Sequence, residues 1–309
     1  MEQFIKKVLN DGKSDIGQIM YLQSIKYYEM ENITQKQTWT KWLTLSLLIF
    51  ISCIQEEVVF NLRENNLEVD SYCQQQKKSG IVNDYQYPIV PGMPEWAEFK
   101  SHTEMIDACQ IPEDFLNNMC TYSLITSCLN YPLRADIFAF NITQMGYDSQ
   151  KNSFNGLAEL HNRPDVLFEL IDSYNNFDLP KIVELWDQDK KFNSIDTRMN
   201  FHLVGMMLHQ TDILGQGDNT IWFELMKIAL EKHDFMKNNN HVSWWQAYHS
   251  NTTIIGRIMI MSDYQPFKKA MTDDPYLYRL VKNGCQHASY KQVLEIVGYA
   301  KEYLKSLEI

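Results

Sequence analysis

The stretch Pro164-Asp-Val-Leu-Phe-Glu-Leu-Ile-Asp-Ser-Tyr174 shows most clearly how this chain folds. Leu167, Leu170 and Tyr174 stand at positions i, i+3 and i+7, which places them on one face of an α-helix. Pro164 suits the first helical turn, where the amide hydrogen that proline lacks would have no partner. The stretch therefore predicts an amphipathic helix that packs one face against a core.

The same spacing recurs through the rest of the chain. Pro112 opens a helical segment that runs through Met119, Asp218 is placed to cap another helix, and Ser289 with Gln292 has the spacing of a capping box. No stretch alternates apolar and polar residues long enough to require a strand. The sequence predicts an all-α fold of about a dozen helices, either a multi-helix bundle or an irregular HEAT-like array of helical pairs.

A segment rich in proline and polar residues divides the chain into three parts. Residues 87–94 contain three prolines, which excludes a helix interior there. We predict an N-terminal helical hairpin over residues 1–73, a proline-rich linker or loop over 74–94, and a main helical domain over 95–309.

Residues 42–53 are the most apolar part of the chain. The run Trp42-Leu-Thr-Leu-Ser-Leu-Leu-Ile-Phe-Ile-Ser-Cys53 follows Lys41 and resembles the end of a bacterial lipoprotein signal. It is short for a bilayer span, which needs about 20 residues, and an amphipathic pattern continues beyond it. We expect a core helix that begins buried and ends half exposed, with an export signal or membrane anchor as the alternative.

The charge balance indicates which partners suit the chain. The formal net charge is −11, with 39 acidic and 28 basic residues. This field repels phosphate backbones, so we expect no nucleic-acid partner, and it attracts basic proteins.

The cysteine pattern bears on the compartment. None of the six cysteines forms a Cys-x-x-Cys pair, and several lie within apolar helical patterns, where a free thiol acts as a small hydrophobe. We therefore expect free thiols, a reducing compartment and a cytoplasmic protein. The six are Cys53, Cys73, Cys109, Cys120, Cys128 and Cys285.

An aromatic cluster at Val242–His249 is the most distinctive local feature. Adjacent tryptophans on a helix point about 100° apart, so one of them is available as an interface anchor unless neighbours cover both. Our first hypothesis is a non-enzymatic protein-binding module, such as an adaptor or an immunity protein, that engages a basic partner without a cofactor. The expected contact residues are Trp244, Trp245, Tyr248, Glu56, Glu57, Asp273 and Asp274.

The alternative hypothesis is enzymatic. Arg198, His202, the pair His233-Asp234 and the later Asp263 resemble the residues of all-helical HD-type phosphohydrolases. In that family a histidine, a His-Asp pair and a distant aspartate hold divalent ions. The resemblance implies a metal site at His202, His233 and Asp234 that activates water against a phosphoester. The spacing to Asp263 is shorter than in the family. A purely structural interpretation is also open, in which His202 and His209, seven residues further along the same helix, are buried core histidines.

Overall fold

The structure, a computed structural model, describes residues 73, 75–80, 82–187, 191–239, 245–285 and 287–307. Only the backbone is described at 185–187, 191–196 and 245–247. All of these residues belong to the compact unit Cys73–Ile309. The predicted N-terminal hairpin, including the apolar stretch at 42–53, lies outside the described residues except for Cys73.

Besides helical residues at 75–78, the described ranges contain fourteen α-helices and two 3-10 helices, and no β-strand. This confirms the predicted all-α fold of about a dozen helices. The 3-10 helices are Pro94–Glu98 and Arg134–Ala139. The α-helices are α1 (His102–Ala108), α2 (Glu113–Asn118), α3 (Thr121–Leu129), α4 (Thr143–Ser153), α5 (Asn155–Asn162), α6 (Val166–Asn175), α7 (Leu179–Asp187), α8 (Lys191–Leu208), α9 (Thr211–Leu214), α10 (Asn219–Asn238), α11 (Trp245–Met261), α12 (Gln265–Asp273), α13 (Pro275–Lys282) and α14 (Tyr290–Leu307).

Several helix ends follow the sequence signals. The α6 helix buries the apolar face that residues 164–174 predict. The carboxylate of Asp218 accepts a hydrogen bond from the backbone N–H of Ile221 at 3.1 Å, which caps α10. Ser289 and Gln292 form the predicted capping box, since the Ser289 N–H donates to Gln292 Oε1 at 2.8 Å.

The segment that begins at Pro112 differs from the prediction. Instead of one continuous helix, α2 ends at Asn118 and α3 begins at Thr121. The backbone of Met119 and Cys120 between them is extended, with ψ of 134° and 149°. Apolar periodicity continues across the break because both helices bury their faces in the same core.

A disulfide joins Cys73 to Cys120, so the expectation that all the cysteines are free is wrong for this pair. The two residues lie 47 positions apart, and their Cα atoms are 5.7 Å apart. Such a distant pairing has no local signature in the sequence. Cys109, Cys128 and Cys285 are free and buried.

Helix α11 lies at the centre of the C-terminal part of this unit, packed against α8, α10, α13 and α14. Residues 248–259 are buried on all sides, although 249–253 are polar. Three of these side chains donate hydrogen bonds to backbone carbonyls inside the protein: Asn251 Nδ2 to Ala229 at 2.7 Å, and the hydroxyls of Thr252 and Thr253 to Tyr248 and His249 at 2.6 and 2.7 Å. Gly205 of α8 allows a close helix crossing, because a Cβ there would lie 2.8 Å from Ser250 Oγ.

Residues 82–93, within the predicted linker, form a loop that packs on α3. The N–H of Tyr85 donates to Ser127 Oγ at 2.8 Å, and the Tyr87 hydroxyl donates to the Ser127 carbonyl at 3.1 Å. None of the helices in the described ranges is long and apolar enough to cross a membrane.

Candidate functional site

A sharp corner joins α12 to α13 on the protein surface. Asp274 ends α12 and also caps α13, since its carboxylate accepts a hydrogen bond from the backbone N–H of Tyr276 at 2.9 Å. Pro275 at the first position of α13 suits this cap because it needs no hydrogen-bond acceptor. The cap fixes the angle between the helices without a flexible loop. Asp273 and Asp274 are therefore held exposed at the tip.

Two tyrosines beside this tip face solvent. Tyr276 is 41% exposed and Tyr278 is 48% exposed, while Leu277 and Leu280 of the same helix are buried. The guanidinium of Arg279 lies 5.5 Å from the centre of the Tyr276 ring. Exposed aromatic side chains held by a rigid helix are favoured at protein interfaces.

A groove of about 540 Å³ runs beside Tyr278. Both of its lysines are exposed, and Lys268 is paired with the carboxylate of Asp263. The corner thus combines a carboxylate tip, two aromatic rings and a more basic side wall. The groove is lined by Gln265, Lys268, Lys269, Met271, Thr272 and Tyr278.

The predicted partner-binding residues differ in their exposure to solvent. Tyr248 is only 8% exposed, and its ring contacts those of His233 and Tyr290, at centroid distances of 5.2 Å and 6.2 Å. Its assignment as a surface anchor is wrong, because α11 is enclosed by its neighbours. Asp273 and Asp274 are exposed. Outside the described residues are Trp244, Glu56, Glu57 and the side chain of Trp245.

The residues of the alternative metal site point in different directions. The His202 ring stacks on Phe138 at a centroid distance of 5.5 Å. His233 is buried, with its pKa lowered to about 4 by desolvation, whereas both carboxylate oxygens of Asp234 accept hydrogen bonds from Lys301 at 2.9 Å on the surface. Adjacent helical residues point about 100° apart, which separates the His-Asp pair. Across the described ranges, no three His, Cys, Asp or Glu side chains group as a metal site would require.

The structure reveals a polar cluster that the sequence analysis did not identify. The buried Tyr147 hydroxyl lies 2.8 Å from His161 Nε2, and His161 Nδ1 lies 2.6 Å from the carboxylate of Asp212. Lys151 Nζ reaches the same carboxylate at 3.1 Å. Both ring nitrogens of His161 are thus within hydrogen-bond distance of a protein group, Nδ1 of Asp212 and Nε2 of Tyr147.

The charges and hydrogen bonds of this cluster indicate that it stabilises the fold and does not bind a substrate. The hydrogen bond from His161 holds the pKa of Asp212 well below its usual range, with Lys151 adding to the effect. Burial raises the pKa of Tyr147, which keeps its hydroxyl protonated. Because both ring nitrogens of His161 contact protein groups, neither is open to a substrate.

Arg257 on α11 ties three elements together inside the protein. Its guanidinium donates to the carbonyls of His209 and Lys282 at 2.8 and 3.0 Å, and to Gln144 Oε1 at 2.7 Å. His209 directly follows α8 and Lys282 ends α13, so the charge also complements the negative ends of two helices. His209 is buried, as the core interpretation expects.

No protein-family model, curated protein or solved structure matches this chain.

Proposed function

We propose that this chain is a non-enzymatic protein-binding module, of the adaptor or immunity-protein type, that engages a basic partner at the α12–α13 corner. The observation that carries the proposal is the rigid presentation of Asp273 and Asp274 beside the exposed rings of Tyr276 and Tyr278.

The shape of the corner supports binding with a low entropy cost. Each tyrosine has few rotatable bonds, and α13 is held by its Asp274 cap and its buried face. Ordering a flexible interface side chain costs about 0.5–1.5 kcal/mol, and a preformed aromatic surface avoids much of this cost. Tyr276 and Tyr278 lie two positions apart on α13 and so point in different directions, which means that a partner would contact the two rings with separate side chains.

Charge supports both the class of partner and the point of contact. The net charge of −11 would accelerate encounter with a basic protein. Lys269 in the groove would repel such a partner, whereas the carboxylate tip would attract it. We therefore expect contact at the tip and the tyrosines, with the groove at the edge of the interface.

The test is a low-salt pull-down from native extract with the full chain, followed by mass spectrometry. It compares the wild type with Asp273→Asn/Asp274→Asn and Tyr276→Ala/Tyr278→Ala. Asparagine is as good a helix cap as aspartate, so the first variant changes charge and preserves the corner. A matched control, Asp107→Asn/Glu295→Gln, removes the same charge from exposed positions on α1 and α14.

We expect a stoichiometric basic protein with the wild type and the control, and its loss with both corner variants. Equal recovery by all four proteins would contradict the role of the corner. Absence of any stoichiometric basic protein would contradict the binding function.

A further inference from the structure

The Cys73–Cys120 disulfide lies at the start of the compact unit. Cys73 is the first residue of that unit, and Cys120 directly precedes α3. Cys120 is buried against the helical core, and Cys73 is half-buried, so a reductant can approach the bond only from the Cys73 side. The bond therefore holds Cys73 against the N-terminal end of α3.

The other contacts of this segment are polar and partly exposed. Lys77 Nζ lies 2.7 Å from both the Glu169 and the Asp172 carboxylates on α6. Exposed ion pairs hold a segment only weakly. The covalent bond is thus the main attachment of residues 73–80 among those described.

The three remaining cysteines of the described ranges are protected from exchange. Cys109, Cys128 and Cys285 are at most 4% exposed. Burial raises the pKa of Cys109 to about 11 and that of Cys285 to about 12, and it raises that of Cys128 further. Because the thiolate is the attacking species, these thiols compete poorly for a disulfide partner.

We propose that Cys73–Cys120 is a permanent structural disulfide and that this chain works in an oxidising compartment, outside the cytoplasm. Stable disulfides persist in such compartments and are rare where thiols are kept reduced. In the folded chain, the three buried thiols of the described ranges are kept from exchanging with this bond. This location fits the export interpretation of residues 41–53 and replaces the expectation of a cytoplasmic protein. It does not depend on the proposed binding function.

Formation of the bond needs an oxidant, which we assign to the class of protein or small-molecule disulfides. One cysteine thiolate attacks a sulfur of the oxidant's disulfide, and a mixed disulfide forms as one oxidant thiolate leaves. The second cysteine thiolate then attacks the mixed disulfide and releases the other. The two cysteines lose two electrons and two protons, and the oxidant leaves as a dithiol or as two thiols.

The experiment traps thiols in native cells with a permeant maleimide before lysis. The cells are fractionated, and the chain is denatured, treated with a second alkylating agent of different mass and digested without reductant. We expect the peptides of Cys73 and Cys120 to be joined and to carry neither label, with the chain recovered outside the cytoplasmic fraction. Either label on both cysteines, or recovery of the chain from the cytoplasm, would overturn the proposal.

Two variants assign the pairing. With Cys109→Ala, which removes a buried free thiol, we expect the joined peptides to persist. With Cys73→Ser, we expect Cys120 to be alkylated. Joined peptides that involve any other described cysteine in the wild type would contradict the assigned pair.

Discussion

Arg257 gives the sharpest test of how the core is held together. It is only 7% exposed, and it donates three hydrogen bonds to acceptors on different elements. We predict that Arg257→Ala lowers the free energy of unfolding substantially while the protein keeps its helical content.

The magnitude follows from what the substitution leaves behind. Each hydrogen bond from a charged group contributes about 1.5–3 kcal/mol, and each buried acceptor left without a donor costs about 1–3 kcal/mol. Removal of the guanidinium also recovers several kcal/mol of its desolvation cost. Three acceptors left without a donor at about 1–3 kcal/mol each, offset in part by the recovered desolvation cost, give an expected net loss of about 3–5 kcal/mol. Arg257→Lys retains the charge but cannot reach all three acceptors, so about half of that loss is expected.

Urea unfolding followed by far-UV circular dichroism measures this loss from the midpoint and the slope. Arg279→Ala is the matched control, because Arg279 is exposed and contacts only the Tyr276 ring in the described contacts. We expect the control to stay within about 1 kcal/mol of the wild type. An Arg257→Ala protein as stable as the control would refute the role assigned to this residue.

Three further outcomes are expected from the same unfolding assay. Reduction of the disulfide, or Cys73→Ala/Cys120→Ala, should lower the free energy of unfolding by about 4 kcal/mol, because the closed loop spans a separation of 47 residues. An unchanged urea midpoint would contradict this. Gly205→Ala should cost about 1–3 kcal/mol, because the new Cβ would meet Ser250 Cβ at 2.9 Å, and a neutral effect would show that the helices separate freely. The folded-state pKa of His233 is lowered from 6.5 to about 4, so the stability that the neutral side chain contributes is fully present above pH 6.5 and is lost as the pH falls towards 4. The wild type should lose about 3 kcal/mol more than His233→Phe between pH 7 and pH 4, and parallel pH profiles would refute this.

Local sequence signals predicted most of the described fold. Apolar spacing located α6, and the Asp218 cap and the Ser289–Gln292 capping box located two helix starts, because these signals act within one helical turn. Continuous apolar spacing hid the break at Met119, since both sides of the break face the same core.

The environment of the candidate site residues is set by contacts between residues far apart in the sequence, which no local sequence pattern predicts. Periodicity could not show that α11 is enclosed, so Tyr248 was misassigned to the surface. The His161–Asp212 pair joins residues 51 positions apart, and nothing near either residue indicates the other. Asp273 and Asp274 were identified as acidic surface residues, but the exposure of Tyr276 and Tyr278 required the orientation of α13.

Hydrogen–deuterium exchange can show whether a basic protein binds at the α12–α13 corner. The full chain is compared alone and with the basic protein recovered from native extract at low salt. We expect slower exchange at residues 273–282 in the complex, with loss of this protection in Asp273→Asn/Asp274→Asn and its retention in Asp107→Asn/Glu295→Gln. Protection elsewhere on the described surface, with residues 273–282 unchanged, would show that the corner is not the binding site.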